Sequence, residues 1–64
     1  MYEHLDIILN TKNNRLGVVK RYIANMEILY WYYPETPHNV HCSIRPTKRF
    51  VVVKPFNLLD NVCN

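Results

Sequence analysis

From Met26 to Tyr33 the chain reads Met-Glu-Ile-Leu-Tyr-Trp-Tyr-Tyr, and no other segment narrows the possible folds as much. An extended strand turns successive side chains to opposite sides. Met26, Ile28, Tyr30 and Tyr32 therefore share one face, and Leu29, Trp31 and Tyr33 share the other. Both faces are apolar. One of them must fill a core, and the other is either covered by a neighbouring segment or left as a binding surface.

The rest of the sequence also favours strands. It has a single alanine, Ala24, and few stretches in which leucine, glutamate and lysine recur at helical spacing. β-branched and aromatic residues cluster in short runs instead, at Ile7-Ile8, Val18-Val19, Tyr22-Ile23 and Val51 to Val53. Punctuators separate them: Asn10-Thr11-Lys12-Asn13-Asn14, Ala24-Asn25, Pro34-Glu35-Thr36-Pro37 and Arg45-Pro46-Thr47. Asn25 suits the left-handed backbone of a tight hairpin. These breaks predict five strands, Leu5–Leu9, Leu16–Ile23, Met26–Tyr33, Val40–Ile44 and Phe50–Lys54. The lone glycine, Gly17, falls inside the second, where it marks a bulge or a close backbone approach. After Pro55, Asn57 is placed to cap one short helical turn carrying Leu58, Leu59 and Val62, followed by a short closing strand. The expected class is all-β, a small five-stranded barrel or strongly bent antiparallel sheet.

Size and charge exclude several functions. With 64 residues, the chain holds one small domain, 1–64, and has no room for a second core. No run approaches the roughly 18 apolar residues of a membrane span. The opening MYEHLDIILN carries acids where a signal peptide needs bases, so the expected location is cytoplasmic. Cys42 and Cys63 are then expected as free thiols. The formal charge of +3 comes from basic pairs against singly spread acids, which favours a polyanion or an acidic protein surface as partner.

Chemistry has few footholds. His38-x-x-His41-Cys42 contains zinc donors, but a structural site needs four ligands, and the fourth would come from His4, Glu35 or Cys63 in a distant segment. On a strand His41 and Cys42 face apart, which also argues against a Cys–His nucleophile pair. One glycine cannot build a phosphate loop. No catalytic residue, metal or cofactor is expected, and the chain is read as a non-enzyme.

Arg15-Leu16-Gly17-Val18-Val19, then a hairpin turn, Ile28-Leu29-Tyr30-Trp31 and a closing valine-rich strand resemble an SH3-like small barrel. The match is to KOW- and Tudor-type barrels and to short barrel proteins of phages and bacteria. It covers nearly the whole chain, Leu5 to Leu59. The glycine or acidic turn usual after the tryptophan is replaced here by Tyr32-Tyr33-Pro34-Glu35-Thr36-Pro37. The resemblance implies a fold; such barrels carry many unrelated binding roles.

The resulting expectation is a small accessory protein, of a kind that phages and mobile elements encode, that docks on a larger protein and modulates it. Tyr32, Tyr33, Arg45, Lys48 and Arg49 are its expected contact residues. The alternative is a nucleic-acid-binding barrel using Lys20, Arg21, Arg45, Lys48 and Arg49 with exposed tyrosines. A third arrangement closes the aromatic face in a homodimer.

Overall fold

Inward and outward residues alternate through five strands: β1 (Ile7–Asn10), β2 (Arg15–Ile23), β3 (Ile28–Tyr32), β4 (His41–Ile44) and β5 (Phe50–Val52). The structure is a computed structural model, and it describes residues 1–53. The strands form one antiparallel sheet in the order β4-β3-β2-β1-β5, with 3-10 turns at Ala24–Met26 and Pro46–Lys48. The fold is all-β. Of the two forms expected from the sequence, the described residues form the bent sheet: among them β4 and β5 are the edges and do not pair to close a barrel. The helical turn and closing strand expected after Pro55, like Lys54, lie outside the described residues.

Two strand starts differ from the sequence reading, each beside a residue in the left-handed region, and a third such residue ends β4 at Ile44, where the sequence placed it. Leu5 has φ 69°, so β1 begins at Ile7, after a turn in which the Asp6 carboxylate accepts the Glu3 N–H at 2.9 Å. Between β2 and β3 the left-handed residue is Glu27 (φ 53°), while Asn25 sits in the 3-10 turn, so β3 starts at Ile28. Arg45 (φ 50°) ends β4 and starts the Pro46 turn. The Asn10 to Asn14 segment turns as expected, its N–H groups collected by the Asn10 carbonyl and by the side-chain oxygens of Asn10 and Asn13.

The core consists of Tyr2, Ile8, Val19, Leu29, Trp31 and Phe50, with Tyr22, Tyr33 and Val52 packed against it. Its geometry shows how far the sheet bends. Three strand spacings separate β3 from β5 in the sheet order, about 14 Å on a flat sheet. The Trp31 and Phe50 rings nevertheless lie 5.0 Å apart. The break in β2–β3 register falls between Val19 and Arg21, so the bulge sits at Lys20 rather than Gly17. Gly17 serves the close approach instead: a Cβ there would stand 3.0 Å from Trp31 Cε3 and 3.4 Å from the Tyr32 carbonyl oxygen.

Trp31 cannot yield that space, because it is held on its other sides by His41, Tyr33 and Phe50 and by its Nε1–H bond to Ser43 Oγ at 3.0 Å. Gly17→Ala should cost about 1–3 kcal/mol, read as a lower urea midpoint with a perturbed tryptophan emission.

The buried Tyr2 hydroxyl donates to the Phe50 carbonyl at 2.6 Å, tying the N-terminal segment to β5. Burial, with a smaller contribution from Tyr22, raises its pKa above the ordinary 10.0. The unfolded chain therefore loses this proton first, and the stability it supplies is complete below pH 10 and declines as pH rises further. Tyr2→Phe should cost about 1 kcal/mol at neutral pH. It should also flatten the alkaline fall in urea midpoint relative to the parent chain.

Candidate docking surface

The cross-strand register assembles the outer side of the sheet in four rows. Val51, Leu9 and Leu16 form one, and Ile7, Val18 and Tyr32 the next. Arg21, Tyr30 and Cys42 follow, then Ile23, Ile28 and Ile44. Arg21 is the only charge among them. Leu16, Val51 and Ile44 are 51%, 50% and 69% exposed, and most of the others are half-buried by their neighbours within the sheet. Such a face, on the one sheet that the described residues form, is far from the isolated exposed leucine that needs no account.

The expected contact residues divide between surfaces. Tyr32 lies on this outer face, beside Val18. Tyr33 lies on the opposite side, packed edge-on against Trp31 with centroids 4.9 Å apart. Its ring is capped by the Arg15 guanidinium at 3.8 Å, and its hydroxyl accepts the Asn13 Nδ2–H at 3.2 Å. Arg15 also pairs with Glu35 at 3.4 Å, the one ion pair among the described residues. No feature of the sequence singles out Arg15, which reaches Tyr33 only because the β2 and β3 ends adjoin.

Arg45, Lys48 and Arg49 do come together. They border a hollow of about 410 Å³ whose other walls are Cys42, Ser43, Ile44, Pro46 and Phe50. Their backbone platform is fixed. Pro46 is fully buried, the Arg45 N–H donates to the Glu27 carbonyl at 2.8 Å, and the Arg49 carbonyl accepts both the N–H and the hydroxyl of Thr11 at 2.8 Å. Lys20 and Arg21 border a different, smaller hollow of about 300 Å³ with Ile23, Tyr30 and Val40. The basic residues of the nucleic-acid reading thus occupy two hollows that share no lining residue.

His41 and Cys42 face apart, as strand alternation expects: the imidazole stacks on Trp31 at 4.6 Å, and Cys42 is an exposed free thiol. Among the described residues no three His, Cys, Asp or Glu side chains gather in a way that would hold a metal. No helix among them is long and apolar enough to cross a membrane.

No protein-family model, curated protein or solved structure matches this chain. The functional reading rests on the surfaces themselves. Their signal was present in the sequence as consecutive apolar pairs, Ile7-Ile8 and Val18-Val19, which put one member on each face of a strand.

Because Tyr33 braces Trp31, Tyr33→Ala should lower stability by about 2 kcal/mol in urea unfolding followed by tryptophan emission. Arg15→Ala, at an exposed cation, should cost less than about 1 kcal/mol.

Proposed function

We propose that this chain is a non-catalytic interaction module that docks on a larger protein, with the outer face of its sheet as the contact surface. The observation that carries the reading is the four-row apolar face, interrupted by one arginine. A sheet side of this composition excludes water most fully when a second apolar surface lies on it. The basic hollow at one border of the face gives the partner an acidic preference. The role is that of an accessory protein acting in the cytoplasm, altering the protein it covers.

The SH3-like resemblance is supported by the all-antiparallel order β4-β3-β2-β1-β5, with Gly17-Val18-Val19 on β2 and Trp31 on β3. That resemblance bears on fold alone. The nucleic-acid reading has less behind it. Its basic residues are divided between two hollows, and Tyr32 sits among aliphatic side chains rather than beside the three clustered cations.

A photo-crosslinking residue in place of Leu16, in cells that make the protein, tests the docking reading; the control position is the exposed Asn25 on the β2–β3 turn. The expected result is one discrete heavier species from position 16, absent from position 25 and abolished by Val51→Asp. Crosslinks that are equally diffuse from both positions, or a species of twice the chain mass only, would remove the larger partner from the account.

A further inference from the structure

We infer that β4 is an addition site for an extended acidic peptide segment, which pairs its backbone with the free β4 edge and places its carboxylates on Arg45, Lys48 and Arg49. This rests on the docking reading and names the chemistry of the partner segment.

Three observations converge on one place. The first is the edge. Among the described residues β4 has a strand neighbour on one side only, and its residues Cys42 to Ile44 line the hollow that also borders Phe50 of β5. An edge strand presents unpaired N–H and C=O groups, and natural edges are usually shortened, covered or interrupted. No proline interrupts β4. The second is charge. Three cations border the hollow, and the one ion pair among the described residues lies elsewhere, between Arg15 and Glu35. The third is rigidity. The turn bearing the cations is anchored by buried Pro46 and by the two Thr11 bonds, so little order has to be gained on binding.

Charge also decides between occupants. A second copy pairing edge to edge through β4 would offer His-Cys-Ser-Ile, with no carboxylate to meet these cations. A single-stranded nucleic acid would neutralise them but would want an exposed ring for base stacking. The one aromatic residue lining the hollow, Phe50, is only 2% exposed. An acidic strand satisfies both the edge and the cations. Since Ser43 is engaged with Trp31 on the inner side, side-chain selectivity along β4 falls to the outward Cys42 and Ile44. These favour a β-branched or other apolar residue between the acids.

The test uses the full chain and a fluorescein-labelled synthetic peptide alternating glutamate with valine. Three probes accompany it: the glutamine-for-glutamate peptide, the acidic peptide with alternate backbone nitrogens methylated, and an oligothymidylate of matched charge. Expected is saturable binding by anisotropy, weakened about tenfold or more by glutamine replacement and by the triple variant Arg45→Gln, Lys48→Gln, Arg49→Gln. Backbone methylation should weaken it about tenfold or more as well, because it removes the N–H donors of the added strand. Amide shift changes should concentrate at residues 41–45. Equal binding of the methylated peptide, tighter binding of the oligothymidylate, or no binding of the acidic peptide would each overturn strand addition. The Leu16 crosslink lies on another part of the molecule, so its persistence beside a negative peptide result would refute β4 addition alone.

Discussion

The seat of Trp31 on Gly17 governs the shape of the whole sheet. The indole lies over the one strand position that has no side chain, and from there it spans the interior to Phe50 on the far edge strand. A chain this short buries little area, so one large ring with contacts on several sides contributes disproportionately. His41 stacks on the ring, Tyr33 meets it edge-on, and Ser43 accepts its N–H. Every strand except β1 therefore contributes directly to the Trp31 site, and β1 supplies Ile8, opposite Gly17, beneath it.

Bending the sheet around one indole has a geometric consequence. Inner residues meet at the Trp31–Phe50 contact, while among the described strands β4 and β5 are separate edges joined by the Pro46 turn. The described residues supply no second layer for the convex side. Its Ile, Leu, Val and Tyr side chains shield one another only within the sheet plane. The same curvature that makes the core possible thus creates both the apolar outer face and the hollow between the edges.

Much of this was legible in the sequence. The five apolar runs and their polar breaks located the five strands because side-chain alternation and turn chemistry are local. Even the division of Leu29, Trp31 and Tyr33 from Tyr30 and Tyr32 follows from alternation alone. Grouping Tyr32 with Tyr33 as joint contact residues overlooked that division. Closure was not legible, since it depends on how far the sheet rolls, a sum over every inner side chain. The strand starts after Leu5 and Glu27 were not legible, because left-handed backbone at a leucine or glutamate is not signalled by residue type; the end of β4 before Arg45 was legible from Pro46, though not the left-handed backbone there. The Leu5 N–H bonds to the Val19 carbonyl and the Arg45 N–H to the Glu27 carbonyl, partners far off in sequence.

Under the proposed docking, separation of charge from apolar surface gives the two surfaces different physical tasks. The cations around the Pro46 turn act over about a Debye length, roughly 8 Å at physiological salt, and can orient an acidic partner before contact. The outer face acts only once water is displaced, over the range of van der Waals contact. Salt should therefore slow association more than it hastens dissociation, because screening weakens the approach and leaves the apolar contact nearly unchanged. A nucleic-acid ligand held by counterion release would instead lose affinity steeply with salt. Arg45, Lys48 and Arg49 stand at the border of the apolar rows, next to Ile44, so under the proposed docking a partner steered by the cations arrives beside the apolar surface.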